Sequence, residues 1–494
     1  MAEKAYLAID MGASSGRHVV GRFDGARLTL EEVYRFDNGP VDVAGSLQWD
    51  LLGQWSHVLA GLRAAAERLG GAAESVGVDT WGVDFGLLGR GDVLLGNPYH
   101  YRDGRTNGMP DRAFGRVPRE EIFRHTGLQF MQFNTLYQLV AMRETDSPLL
   151  DVAERLLMMP DLFHWLLCGA QCNELTDAST TQFYNPLRRR WATELFERFD
   201  LPAGILGDIV PPGTNLGPLR PGVAEATGLR GDVVLPGTHD TASAVMAVPA
   251  ASQPGQQPDW CYISLGTWAL MGVEVPQPVV NDEVSALNFT NEGGVGDTTR
   301  LLKNITGLWL VQECRRVWNQ AGRDWGWEDL NRLTARAPGL VSLIDPDAPD
   351  FLAPGDMPEA IRRFCRRTGQ AVPEDEGSVL RTALDSVALK FRHVLGMCER
   401  LVGGRIETIH VVGGGTQNRL LCQAAADACG RIVVAGPVEA TAIGNLVVQA
   451  VAAGDVGSIA QARELVRASF PVETYQPAET ARWDEAYDRF VKLL

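Results

Sequence analysis

The chain has 494 residues, 45% of them hydrophobic and 21% charged, enough for two domains of ordinary globular composition. Its 61 acidic residues against 45 basic ones leave a net charge of −16. That balance excludes the broad positive field that nucleic-acid or anionic-membrane binding needs, yet leaves room for a nucleotide held by a few local groups.

Residues 5–36 are predicted as three strands. Asp24-Gly25 lies between two alternating runs and marks a hairpin. Asp50 is expected to cap a helix with Leu51, Trp55, Val58, Leu59 and Leu62 at helical spacing. Val76 to Asp79 reads as the next strand, and Trp81 to Leu95 as a hairpin turning at residues 89–92. A helix-rich stretch is expected from Pro118 to about Asp200. The Gly/Pro/Gln-rich segment Pro249 to Pro258 then separates two halves, giving domains of 1–248 and 249–494. The second half repeats the plan, with strands over 260–274, a helix over 377–401 and a strand from Thr408 to Val412. A glycine triplet and helix follow, then a strand from Arg431 to Ala435 and a helix from about Thr441. Strands alternating with helices imply an α/β fold with a largely parallel core in each half.

A strand–turn–strand loop rich in glycine and hydroxyl groups occurs twice. The first runs Asp10-Met11-Gly12-Ala13-Ser14-Ser15-Gly16-Arg17, the second Ser264-Leu265-Gly266-Thr267-Trp268. Backbone N–H groups and hydroxyls at such turns form anion cradles, so the duplication suggests two related domains around a nucleotide. Only four lysines occur, at 4, 303, 390 and 492, and none follows a glycine, which excludes a lysine-bearing P-loop. Gly12 to Gly16 also matches the nucleophile-elbow pattern of hydrolases, but that pattern requires a helix where His18 to Phe23 alternates as a strand. Eight cysteines without a CxxC pair, and an apolar amino-terminal run that Asp10 cuts short, fit a reduced, cytoplasmic setting. Ile432 to Gly454 is nearly uncharged, but Pro437, Glu439, Asn445 and Gln449 interrupt it, so strand, loop and buried helix are expected there.

His239-Asp240-Thr241 follows the apolar run Val233 to Pro236. A carboxylate there suits a general base, and equally suits a cap for the following helix. Asp10, ending a buried strand before the first cradle, suits the water shell of a Mg2+ ion or a local turn. Val411 to Asn418, with its glycine triplet, offers close backbone approach to an adenosine or simply a tight connection. Thr80 to Phe85 and Tyr101 to Asp103 are candidates for a polar sugar pocket, with Trp81 as core and Arg102–Asp103 as a solvated pair the plainer alternatives. Asn291 to Gly294 and Lys303-Asn304 add hydrogen-bonding groups on the carboxyl-terminal side.

Read in order, these segments resemble the FGGY carbohydrate kinases. The resemblance rests on DMGASSGR (10–17), VDTWGVDF (78–85), YRDGRTNG (101–108), HDTASAV (239–245) and SLGTWALMG (264–272). TNEGG (290–294), LLKNITGLWLVQ (301–312), VVGGGTQN (411–418) and AGPVEATAIGN (435–445) continue it along nearly the whole chain. It implies two ribonuclease-H-like domains of the actin/hexokinase type flanking a nucleotide and sugar cleft. It also implies transfer of the γ-phosphoryl group of ATP to the C1 hydroxyl of L-rhamnulose. Carried over residue by residue, Asp240 would be the general base, and Gly82, His239, Thr241 and Asn304 would join it in contacting the sugar. Ala13, Ser14, Ser15, Gly16, Arg17, Thr267, Gln312 and Gly414 would contact ATP, and Asp10 would sit near Mg2+, through water. A monomer or small homo-oligomer, with no nucleic-acid or membrane partner, is expected. Two alternatives stay open: a kinase for another ketose such as L-fuculose or xylulose, and a non-catalytic, ATP-gated sugar-binding module.

Overall fold

The computed structural model describes residues 3–251, 258–352 and 354–494, so most of the expected interdomain segment at 249–258 lies outside the described residues. Strands β1 (Lys4–Met11), β2 (Ser15–Phe23) and β3 (Leu28–Asp37) form the expected antiparallel meander. Asp50 accepts the Gly53 N–H and starts α1 (Leu51–Leu69), which delivers the chain to β4 (Ala72–Thr80), parallel to β1. A hairpin strand β5 (Phe85–Gly89) follows, and then helix α2 (Thr135–Glu144). Within the stretch expected to be helical, β6 (Ala153–Met158) pairs antiparallel with β5. Its run Leu156-Leu157-Met158 is buried throughout, and an unbroken apolar run shows no period that separates strand from helix. Helices α3 (Met159–Cys168) and α4 (Leu175–Ala178) lead on to β7 (Arg230–Val234), parallel to β4, and to α5 (Asp240–Met246).

The second half starts with β8 (Trp260–Leu265) and its antiparallel partner β9 (Trp268–Val275), followed by β10 (Thr290–Gly293) and β11 (Thr299–Thr306). Helix α6 (Trp309–Gln320) and the long α7 (Glu376–Val402) precede β12 (Thr408–Val412), which lies parallel to β8. Then come α8 (Arg419–Cys429), β13 (Ile432–Ala435), α9 (Ala440–Ala452) and the edge strand β14 (Glu473–Tyr475). The first sheet runs β7-β4-β1-β2-β3, with Asn215–Pro218 added at its edge. The second contains the run β11-β9-β8-β12-β13-β14. In both, the third, second and first strands lie beside the fourth and fifth, so the plan is indeed repeated. Neither sheet is largely parallel as expected: two parallel pairings join an antiparallel meander in the first, and in the second two parallel pairings join antiparallel pairings of β8 with β9 and of β13 with β14. Tight turns such as Asp24-Gly25 join antiparallel strands only, whereas helices are needed where the chain returns parallel.

The described residues divide into two compact units. The first holds residues up to 251, Glu274–Leu301 and Ala440–Phe470; the second holds 258–273, Leu302–Glu439 and Pro471–Leu494. Asn291 to Gly294, expected on the carboxyl-terminal side, therefore belong to the first unit. So does α9, which covers β1, β4 and α5. Its otherwise apolar face carries two amides bonded to the sheet. Gln449 donates to the Leu7 carbonyl at 3.0 Å and accepts from Ser75 Oγ at 2.6 Å. Asn445 donates to the Gly77 carbonyl at 3.2 Å and to Asp79 Oδ2 at 2.6 Å. These polar groups are fully buried and so need such partners. Among the described residues no helix is long and apolar enough to cross a membrane.

The first unit's core is built on Leu7, Ile9, Val76 and Val78 of the sheet with Val58 and Leu62 of α1, all fully buried. Burying each such side chain contributes roughly 1.5–3 kcal/mol. This packed floor holds rigid the strand ends from which the site is built.

Candidate active site

Three carboxylates gather at the carboxyl ends of adjacent strands in the first unit. Asp10 of β1 stands in register with Asp79 of β4, and Thr80 forms a bridge with His239, the residue before Asp240. The Thr80 N–H bonds the Thr238 carbonyl at 2.9 Å, so the segment after β7 is tied to the end of β4. Asp79 was not singled out from the sequence, yet it is completely buried and its Oδ1 has no hydrogen-bond partner. Burial, then the nearby Asp10 charge, pushes its carboxyl well above the ordinary carboxylate range.

Asp240 is the first residue of α5, and His239 occupies the capping position without a side-chain cap bond. The capping alternative for Asp240 is thereby corrected. The Asp240 side chain keeps 32% exposure; its Oδ1 accepts the Thr241 hydroxyl at 3.0 Å and lies 3.6 Å from His239 Nε2. Desolvation raises its carboxyl above the ordinary value; His239 opposes that shift and Asp10 adds to it. A base with a raised affinity for protons at the end of a helix-leading strand is suited to accept one from a bound hydroxyl.

The segment carrying these residues is anchored on Glu174, a buried residue the sequence reading passed over. Its Oε2 accepts the N–H groups of Thr176 (2.9 Å) and Thr238 (3.1 Å), and the hydroxyls of Thr176 (2.5 Å) and Thr238 (2.6 Å). Thr176 Oγ1 in turn accepts the His239 N–H at 3.1 Å. Only the pairing of two segments 64 residues apart reveals this. Burial raises the Glu174 carboxyl to about 7, against the opposing hydrogen bonds of Thr176 and Thr238. The folded state thus holds this proton more tightly than the unfolded chain. The associated stability is complete below the ordinary value near 4.5 and is lost as pH rises through about 7. Buried Asp161 and Asp177 face the same group and titrate upward as well. Urea unfolding at pH 5 and pH 8 is expected to show Glu174→Gln losing less stability over that interval than the parent, by about 3 kcal/mol. Equal losses would contradict the assignment.

The first cradle, residues 12–15, is closed by a Gly12 N–H bond to the Ser15 carbonyl at 2.9 Å. Asn38 braces it, donating from Nδ2 to the Gly12 carbonyl at 2.8 Å and from its backbone N–H to the Ser14 carbonyl at 3.1 Å. Ala13 and Ser14 form the turn, whereas Ser15, Gly16 and Arg17 already belong to β2. Because β2 is a strand, the hydrolase elbow is not formed. Arg17 turns its guanidinium to Asp10, with Nε at 3.0 Å and Nη2 at 2.7 Å from Oδ2.

Gly82 lies where a Cβ would come within 2.9 Å of Thr180 Cγ2, and Thr180 Oγ1 accepts the Val83 N–H at 3.0 Å. Trp81 is core: its indole N–H and that of Trp49 both donate to buried Asp84, at 3.0 and 2.7 Å. The solvated Arg102–Asp103 alternative is also corrected, since Asp103 is buried and accepts the Leu47 and Arg105 N–H groups at 2.7 and 2.9 Å.

In the second unit the other cradle is closed more tightly, with the Gly266 N–H bonded to the Trp268 carbonyl two residues on at 2.8 Å, where Gly12 reaches three residues on. It is docked on the start of α6: the Trp309 N–H meets the Thr267 carbonyl at 3.0 Å, and Thr267 Oγ1 donates to Gln312 Oε1 at 3.1 Å. Asn304 lies on β11. The glycine triplet divides its work. Gly413 adopts φ 88°, Gly415 leaves no room for a Cβ beneath Leu265, and Gly414 alone opens on free space. The residue chosen from the sequence for nucleotide contact is thus the accessible one of the three.

Solved structures share this architecture over the whole chain. A gluconate kinase from Lactobacillus acidophilus superimposes with a TM-score of 0.81 at 15% identity, covering 100% of this chain and 98% of the other. A Plasmodium falciparum glycerol kinase solved with ADP gives 0.76 at 13% identity, covering 99% and 98%. The fold is therefore that of the two-domain sugar kinases. The amino-terminal domain model of the FGGY family of carbohydrate kinases matches residues 5–247, and the carboxyl-terminal domain model matches 261–453. The chain belongs to the FGGY family of carbohydrate kinases. A rhamnulokinase of Bacteroides thetaiotaomicron is 44% identical over 98% of both chains. One of Pectobacterium atrosepticum is 42% identical over 100% of this chain and 97% of its own.

Proposed function

We propose that this chain transfers the γ-phosphoryl group of ATP to the C1 hydroxyl of L-rhamnulose, yielding L-rhamnulose 1-phosphate and ADP in L-rhamnose breakdown. The observation that supports the chemistry is Asp240, a desolvated carboxylate at the exit of β7. Full-length likeness to rhamnulokinases supports the substrate. With Oδ1 engaged by Thr241 and facing His239, Asp240 takes the C1 hydroxyl proton on Oδ2 as that oxygen attacks the γ-phosphorus. The β–γ bridging bond breaks as the new oxygen–phosphorus bond forms, and most of the catalysis is positioning and charge stabilisation. Gly82, His239, Thr241 and Asn304 orient the sugar. Residues 13–17, Thr267, Gln312 and Gly414 hold the nucleotide, with Arg17 exchanging part of its bond to Asp10 for phosphate oxygens. In this reading residues 1–248 carry the sugar site and phosphate loop, and 249–494 the adenosine site. The protein acts in the cytoplasm, as a monomer or small homo-oligomer.

Among the described residues no three His, Cys, Asp or Glu side chains are arranged to ligate a metal ion directly. The orphaned Asp79 Oδ1 nevertheless lies in register with Asp10 beside the cradle. The Asp10 carboxylate fits a hydrated Mg2+ held mainly by the nucleotide's own phosphates. The ion would neutralise phosphate charge there.

ADP release with Mg-ATP, measured across L-rhamnulose, L-fuculose, L-xylulose, D-xylulose and glycerol, tests the reading. L-rhamnulose is expected to give the highest kcat/KM. Preference for another ketose would move the substrate assignment, and no turnover with any would favour a binding module.

A further inference from the structure

The hairpin of β10 and β11 contributes a completely buried arginine. Arg300 Nε donates to the Gly293 carbonyl at 2.9 Å, which fixes the plane of the guanidinium. Its Nη2 lies 3.1 Å from Glu292 Oε2 and 3.2 Å from His239 Nδ1. Burial disfavours the charged form of Glu292, but the Arg300 guanidinium beside it opposes that effect, and the carboxyl lies below its ordinary value. Glu292 therefore stays ionised and neutralises the arginine, as a buried charge requires.

A guanidinium has donors and no acceptor. The ring nitrogen that meets Nη2 must then present a lone pair, which leaves the ring proton on Nε2. That nitrogen faces Asp240 Oδ1 at 3.6 Å. The competing arrangement, in which Nδ1–H is given to Glu292 Oε2 at 3.2 Å, does not have hydrogen-bond geometry, since that oxygen has no hydrogen-bond partner.

We propose that Arg300, neutralised by Glu292, is a positioning residue that selects the Nε2–H tautomer of His239 and so aims a donor at Asp240. This rests on the reading of Asp240 as the base. A donor facing Oδ1 favours the carboxylate form of Asp240, offsetting the burial and the Asp10 charge that disfavour it. It also faces the oxygen that already accepts the Thr241 hydroxyl, so its electrostatic pull favours the same rotation of the carboxylate. His239 is held at both ends, since its backbone N–H is already bound by Thr176.

The tautomer is read directly by nitrogen-15 NMR of histidine-labelled protein. The chain has 8 histidines, and the His239 signal is assigned as the one lost in His239→Gln. The expected spectrum has a protonated Nε2 and an unprotonated Nδ1. The paired variant Glu292→Leu/Arg300→Met removes both charges together and leaves none uncompensated. It is expected to lose the tautomer preference and at least tenfold in kcat, with the KM for ATP unchanged. A protonated Nδ1 in the parent protein overturns the proposal, as does a folded paired variant with kcat within threefold of the parent. If that variant does not fold, the parent spectrum decides alone. The spectrum needs no sugar, so absent turnover on L-rhamnulose would count against the proposed function and not against the tautomer.

Discussion

Replacing Asp240 with asparagine is expected to lower kcat by about 10²–10⁴-fold, the range general-base catalysis supplies. The substitution preserves shape and leaves an amide oxygen for the Thr241 hydroxyl, which now sits 3.0 Å from Oδ1. It removes the one property a base needs, an oxygen that binds a proton at working pH. The KM for ATP is expected to stay within about twofold, because the nucleotide contacts assigned above come from other residues. In the parent protein kcat should fall on the acid side as the raised Asp240 carboxyl becomes protonated, and the variant should lack that limb. Steady-state ADP release over a pH series checks both points. Turnover in Asp240→Asn near that of the parent would remove Asp240 from the mechanism.

Gly444→Ala is expected to destabilise the protein by about 3 kcal/mol or more. At an ordinary helix position the same change would gain roughly 0.5–1 kcal/mol, so the sign alone is decisive. Gly444 lies in α9 where it crosses α5, and a Cβ there would come 1.7 Å from the Ser243 carbonyl oxygen and 2.4 Å from its carbon. Both are backbone atoms, which no side-chain rotation can withdraw. Ser243 is itself tied to the Gly237 carbonyl through its hydroxyl at 2.7 Å. The strain would therefore reach the segment carrying His239 and Asp240. Urea unfolding with the parent as reference measures the loss; unchanged or increased stability would mean the two helices do not approach this closely.

The repeated cradle was legible because its requirements are local. A tight reversal needs glycine, an anion cradle needs N–H and hydroxyl groups, and both fall within a few residues at Gly12 to Gly16 and again at Gly266-Thr267. Asp240 was proposed on similarly local grounds, as a carboxylate shortly after the apolar run Val233 to Pro236. The antiparallel character of the meanders was less so, since an alternating run looks alike whichever way its neighbour points. Strand β6 was hidden because its run Leu156-Leu157-Met158 is buried throughout and has no period to read.

By itself, then, the sequence determined the duplicated α/β plan, the two cradles and the candidate base, all properties of short contiguous segments. Only the tertiary structure decided which buried groups serve them. Glu174 grips Thr238 across 64 residues, Asn445 reaches Asp79 across 366, and Arg300 meets His239 across 61. Nothing in the local pattern distinguishes such a residue from a solvated one, because its cost is set by burial and its partner is chosen by the packing of the whole chain.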